Sequence, residues 1–319
     1  MKAIVTGAAG FIGSTLSEEI LRRGGSVTGI DCFTDYYSRA IKERNLRNLR
    51  PNPKFQFVEK SILELNPADY LDGVDVIFHQ AAQAGVRASW GKDFKVYTDW
   101  NILGTQQLLE AVRAIPEAKR PRFVYASSSS VYGERDTFPF YETDRPQPMS
   151  PYGVSKLAAE HLAVLYWNNF RVHTASLRYF TVYGPRQRPD MAFHKFIRAV
   201  YNDEALPLYG DGLQTRDFTY IADAVAANLA AAENSVPGGV YNIGGGSRVT
   251  VNHCFDVLKK VMGREIKIKH LEKQHGDVSH TAAATELAER ELKWTPKVGL
   301  EEGLRAEAAY VKELMAENL

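Results

Sequence analysis

One short segment restricts this chain more than any other. The apolar, β-prone run Ala3-Ile4-Val5 leads into Gly7-Ala8-Ala9-Gly10-Phe11-Ile12-Gly13, and helical periodicity then extends from Phe11 to Arg23. Glycines at GxxGxxG spacing permit a tight turn, let backbone approach a pyrophosphate, and let the next helix pack closely on the sheet. That helix opens with unpaired N–H groups and a positive dipole end, both suited to phosphate. Glycine turns are common, so the pattern counts only in context. Here a strand precedes it, a helix follows it, and a second strand-like run, Ser26–Asp31, ends in an acid. The Asp31 carboxylate can accept from adenosine ribose hydroxyls and repels a 2′-phosphate, so the expected cofactor is NAD rather than NADP. Gly7, Gly10, Phe11, Ile12 and Gly13 are expected to line it.

Further β-rich runs occur at Phe55–Val58, Val74–Phe78 and Arg122–Ala126, and helical ones at Thr98–Ile115 and Pro151–Asn169. Near-continuous apolar strands alternating with helices predict an α/β fold, a Rossmann-type doubly wound parallel sheet. Beyond about Thr181 the pattern is less regular, with helices near Ala192–Tyr201 and Ile221–Glu233. We expect a smaller mixed α/β lobe packed on the first, with a cleft between. The division reads as 1–180 plus about 216–248 for the NAD-binding domain. Segments 181–215 and 249–319 form the substrate lobe.

A chain of 319 residues, 45% hydrophobic, can bury a core without disulfide staples. Net charge of +1 gives no reason to expect nucleic acid or membrane as partner. No apolar run approaches the roughly 20 residues of a membrane span. Two cysteines, Cys32 and Cys254, argue against a disulfide framework, and no ligand-spaced cluster predicts a metal. A cytoplasmic location is expected.

The chemistry falls just after strands. Ser127-Ser128-Ser129-Ser130 ends one of them, and Pro151-Tyr152-Gly153-Val154-Ser155-Lys156 opens a helix. Tyr152 and Lys156, four residues apart, share a helix face. A phenol with a pKa of about 10 is a poor base at neutrality, and a nearby ammonium favours its phenolate. Asn101, in Asn-Ile-Leu-Gly-Thr, reads as a buried polar bracket near the cofactor.

Together these motifs resemble the extended short-chain dehydrogenase/reductase superfamily, in its nucleotide-sugar epimerase branch, over nearly the whole chain. The resemblance implies that Ser128 bonds the reacting sugar oxygen, with Ser130 the neighbour able to share the role. It makes Tyr152 the base and Lys156 its partner, and sets Ser61, Ile62, Ala81, Ala82 and Tyr179 along the cofactor. Related sugar dehydratases carry an acid pair where this chain has Ser129 and Ser130, so elimination chemistry lacks its acid. Asp31–Tyr37, His79–Arg87 and Arg178–Met191 are similar to the UDP-glucuronate 4-epimerases. That likeness implies a UDP-sugar substrate touched by Arg87 and the serines, with Thr181 and Arg188 clamping a carboxylate. Arginine's fork suits a carboxylate, though Arg188 could instead meet the nucleotide phosphates or a surface acid.

Tyr209–Phe218 resembles a nucleotide-binding segment that puts Arg216 on the diphosphate, and Gln274–Asp277 one whose acid bonds the ribose. Two departures stand out: Gln274 where relatives often have Arg, and Ser61 where an Asp usually reaches adenine. Rival readings are a UDP-glucose/UDP-galactose 4-epimerase, a UDP-glucuronate decarboxylase, or an inactive NAD-binding scaffold. Apolar residues beyond one core stripe on the helices at Thr98–Ile115 and Pro151–Asn169 are those of a homodimer seam in such families; by themselves they describe buried core equally well.

Overall fold

The computed structural model describes residues 1–272 and 278–319. In chain order, β1 (Lys2–Thr6), α1 (Phe11–Arg22), β2 (Ser26–Asp31), α2 (Arg39–Leu46), β3 (Phe55–Glu59) and β4 (Val76–His79) come first. A single turn, α3 (Phe94–Tyr97), then runs through a π-helical stretch, Thr98–Leu103, into α4 (Gly104–Arg113). After it come β5 (Arg122–Ser128), α5 (Pro151–Phe170), β6 (Thr174–Tyr179), β7 (Val182–Tyr183) and α6 (Ala192–Tyr201). The remainder comprises β8 (Leu206–Tyr209), β9 (Thr215–Asp217), β10 (Thr219–Tyr220), α7 (Ile221–Asn234) and β11 (Gly239–Ile243). Finally come β12 (Arg248–Thr250), α8 (Val251–Met262), β13 (Ile268–Leu271) and α9 (Leu300–Ala316).

Seven strands form one sheet in the order β11-β6-β5-β4-β1-β2-β3, and every pairing is parallel. The chain winds outward from β1 in both directions, which is the doubly wound α/β arrangement expected. Adjacent residues of β1 serve opposite layers, as the two-residue period requires. Val5 packs with Leu16, Ile20, Val225 and Leu229 of α1 and α7. Ile4 packs with Leu108, Leu109, Val112 and Tyr166 of α4 and α5. A separate cluster joins α6, β8, α8 and α9 through Phe193, Ile197, Leu206, Phe255, Leu258, Leu304 and Val311. No helix among the described residues is long and apolar enough to cross a membrane.

The helix expected over Thr98–Ile115 is only partly α-helical. Its first turn is widened to π geometry, which adds a residue and re-aims the side chains it carries. Asn101 gains most from this: its amide spans Gln83 and Ser155.

Behind β5 and β6 a buried charge pair fixes α5. Arg178 makes a bidentate contact with Glu160, at 3.0 and 2.7 Å, and Ser127 donates to the same carboxylate at 2.6 Å. Arg178 also donates to the Tyr132 hydroxyl, which donates to Asn242 of β11. Removing one partner of such a pair strands the other charge in the core. We predict that Glu160→Ala lowers unfolding free energy by about 3–5 kcal/mol in denaturant titration. Glu265→Ala, which breaks an exposed pair with Lys259, leaves the midpoint unchanged.

Candidate active site

In a doubly wound sheet a ligand crevice opens beyond the carboxyl ends of the central strands. Here its floor is the turn after β1. Gly7 has φ +68°, and a Cβ on it would lie 2.9 Å from the Ala81 nitrogen. At Gly13 a Cβ would come within 2.1 Å of the Gly7 carbonyl oxygen, so only glycine lets α1 start this close. Gly7, Gly10, Phe11, Ile12, Gly13, Asp31, Ile62, Ala81, Ala82, Tyr152, Lys156 and Tyr179 all line one crevice. Arg188 reaches into it from the loop after β7.

The crevice fits NAD on the chemistry of its donors and acceptors. Asp31 accepts the Ala9 N–H at one oxygen (3.0 Å) and the Phe33 N–H at the other (2.9 Å). Each oxygen keeps a lone pair for a ribose hydroxyl. Burial raises this carboxyl's pKa, against those two bonds and the Lys42 charge; hydroxyl donors would relieve the strain. Lys42 lines the crevice beside Asp31, tethered to the Thr34 carbonyl. Sequence reasoning missed Lys42, because one lysine on a charged helix carries no signal until that helix is docked.

Two residues placed along the cofactor have other work. Ser61 is not among the lining residues; its hydroxyl accepts the Leu63 N–H at 3.1 Å, and Lys60 and Ile62 face the crevice instead. Asn101 stands behind the wall as a bracket. Its Oδ1 accepts from Gln83 N–H at 2.7 Å, while Nδ2 donates to the Gln83 carbonyl at 3.0 Å and to Ser155 Oγ at 2.9 Å. Ser155 in turn donates to the Tyr152 carbonyl.

At the inner end, Ser128 stands where its hydroxyl favours the ionised form of the Tyr152 phenol. The sequence reading has the Lys156 ammonium, together with an oxidised nicotinamide, favouring the phenolate; in the protein by itself other groups act on the phenol. Burial raises Tyr152, opposed by the Ser128 hydroxyl and the Arg188 charge. Burial likewise brings Lys156 down to about 7, partly offset by Glu160 one turn along α5. In the protein by itself the phenol keeps its proton at neutrality.

The rest of the expected substrate set is dispersed around the mouth. Ser129 and Ser130 form the turn after β5, and Ser130 N–H caps onto Ser128. The Thr181 carbonyl accepts from Thr219. Arg87 lies over the Tyr209 ring at 4.7 Å, joining the loop after β4 to β8. Arg216 donates to the Thr215 and Ser279 carbonyls. Asp277 and Gln274 lie outside the described residues.

A buried histidine braces the floor. His79 bridges Thr6 at 2.8 Å and Thr105 at 2.9 Å. Thr105 spends its proton on the Asn101 carbonyl at 2.6 Å, so its oxygen accepts from His79 Nε2–H, and Nδ1 accepts from Thr6. Thr6 Oγ1 itself accepts from Ala81 N–H. Burial, aided by the Lys156 charge, lowers His79 from 6.5 to about 3. The unfolded chain therefore binds this proton more readily. The ring's stabilising contribution is whole above pH 6.5 and is lost as pH falls towards about 3. Nitrogen-15 NMR should show a neutral Nε2–H tautomer unchanged from pH 8 to 5 (a range of about three units). Protonation near 6.5 would refute the assignment.

Residues 3–244 match the NAD dependent epimerase/dehydratase family. The chain belongs to that family. A Bacillus subtilis protein described as an uncharacterized UDP-glucose epimerase, YtcB, is 43% identical over 98% of this chain and 99% of its own. The UDP-glucuronate 4-epimerase of Thermodesulfobacterium geofontis is 35% identical, covering 97% and 96%. The crystal structure of UDP-glucuronic acid 4-epimerase from Bacillus cereus, in complex with UDP-glucuronic acid and NAD, superposes with a TM-score of 0.94. It is 44% identical, covering 98% of this chain and 100% of that one.

Proposed function

We propose that this protein is an NAD-dependent nucleotide-sugar 4-epimerase that interconverts UDP-glucuronate and UDP-galacturonate through a 4-keto sugar. The observation that carries the choice of sugar is Arg188, whose guanidinium stands in the crevice close enough to bias the Tyr152 phenol. A neutral hexose has no use for a fixed cation there. A uronate does.

The crevice residues would hold NAD, which would supply a reversible hydride acceptor for carbon 4 and a positive ring favouring a phenolate. Tyr152 then takes the 4-hydroxyl proton and later gives one back, while Ser128 holds the reacting oxygen. Lys156, with a pKa of about 7, supplies a positive charge that proton movement can tune. The 4-keto uronate is a β-keto acid, prone to lose carbon dioxide. Thr181 and Arg188 guard against this by holding the carboxylate so that its breaking bond lies out of line with the ketone. Arg87 and Arg216 serve the nucleotide end, from segments that border a substrate lobe made of 181–215 and 249–319. Because the hydride would go back to the carbon it left, the reaction needs no second substrate, and a cytoplasmic location suits it.

A homodimer belongs to the same reading. Leu103, Val154, Leu165 and Phe170 are 38–51% exposed on the π stretch and α5, a shared apolar surface that a second copy would cover. Leu165→Glu should convert the dimer to monomer in light scattering; a wild type already monomeric would end this part of the proposal.

Tyr152→Phe should cut epimerisation by about 10²- to 10⁴-fold with UDP-glucuronate binding retained. Arg188→Ala should abolish the preference for UDP-glucuronate over UDP-glucose and release UDP-pentose. If wild type converts UDP-glucose and ignores UDP-glucuronate, the sugar is misassigned.

A further inference from the structure

The loop that carries Arg188 is held from several sides. Glu307 of α9 accepts the Gly184 N–H at 2.8 Å. Arg186 reaches back to Ser14 at 3.1 Å and Glu18 at 2.7 Å on α1. Gln187 donates to the Val182 carbonyl and accepts from His194 N–H. A backbone this constrained delivers its side chains to fixed places, and one of them has a role that the reaction scheme above leaves unstated.

Asp190 grips Arg188 along one edge only, taking Nε–H at 2.9 Å and Nη2–H at 3.0 Å. Among the described residues no hydrogen-bond acceptor is recorded for Nη1. Asp190 is itself held by the Tyr36 hydroxyl, which donates to Oδ2 at 3.2 Å. Tyr36 comes from the segment between β2 and α2, on the opposite wall, and lines the crevice. Its hydroxyl is boxed in as well: a Cβ on Gly85, where φ is +105°, would lie 2.4 Å from it. The Arg188 guanidinium sits 5.7 Å from the Tyr36 ring. The side chain is 22% exposed.

We infer that Asp190, oriented by Tyr36, is the positioning residue that sets the Arg188 fork for a negatively charged substituent on the sugar. This rests on the uronate reading above and goes beyond it by naming what aims the cation. An arginine on a loop beside a cavity has many rotamers, and ordering them at each binding event weakens the complex. The bidentate grip removes that freedom beforehand and leaves one N–H edge for a second carboxylate. Because Asp190 uses Nε and Nη2, substrate need not displace it. The arrangement is a fork already set, not a lock that must open.

The test is binding selectivity of the NAD-loaded protein, measured by calorimetry with UDP-glucuronate, UDP-glucose and UDP. Asp190→Asn keeps the shape and loses the charge. It should reduce the preference for UDP-glucuronate over UDP-glucose by about tenfold or more, while UDP affinity changes by less than about twofold. Tyr36→Phe, which removes one hydroxyl, should shift the ratio the same way by a smaller factor and serves if the Asn variant melts early. Equal loss for all three ligands would mean a merely structural residue and overturn the proposal. A ratio that rises would make Asp190 a competitor of substrate and also overturn it, as would an unchanged ratio. The uronate reading fails separately, if wild type shows no preference or if Arg188→Ala leaves the preference intact.

Discussion

Everything at this site depends on how closely α1 approaches the turn it springs from. The space between Gly13 and the Gly7 carbonyl is too small for a methyl group, and that contact brings the helix N-terminus to the mouth of β1. A side chain there would push α1 outward and separate its free N–H groups from the place where phosphate must lie. The same turn positions Ala9, whose N–H holds the Asp31 carboxylate. One steric constraint thus sets both the phosphate cradle and the ribose acceptor.

The chemical end works by opposed electrostatic pressures. Burial raises the Tyr152 phenol and lowers the Lys156 ammonium, so each is pushed towards its neutral form. Three features push back. Ser128 and Arg188 favour the phenolate, and Glu160, itself neutralised by Arg178, supports the ammonium. Such a balance leaves Lys156 near neutrality and the phenol protonated, so a bound positive ring would have to add to Ser128 and Arg188 to form the phenolate. Here the base is latent until the ligands arrive.

What was legible in the sequence was what is local. The glycine spacing, the acid ending β2 and the Tyr152–Lys156 offset each state their chemistry within a few residues, and strand–helix alternation orders them on one sheet edge. What was hidden depends on partners brought from far along the chain. Lys42 matters only because α2 docks beside Asp31. Tyr36 and Asp190 are separated by 154 positions and meet only when the loop after β7 folds over the crevice. Asn101 was recognised as a bracket, but its reach to Ser155 depends on a π turn that propensity does not announce. Ser61 is a different case. A family position suggests a ligand contact, and without a ligand the serine's short hydroxyl caps its own turn at Leu63.

The placement of Arg188 also resolves a conflict inherent in the proposed substrate. A uronate carries a negative charge on the carbon next to the one being oxidised, and that charge would by itself raise the pKa of any phenol placed to deprotonate the ring. Arg188 already acts in the contrary direction on Tyr152. When the fork takes up the carboxylate, the two charges cancel as seen from the phenol, and the base is left as it was for a neutral sugar. Were the cation absent, binding the correct substrate would weaken the group needed to transform it. Under the proposed function the same guanidinium would select the acid and protect the base from it, a double use that a place inside the crevice allows.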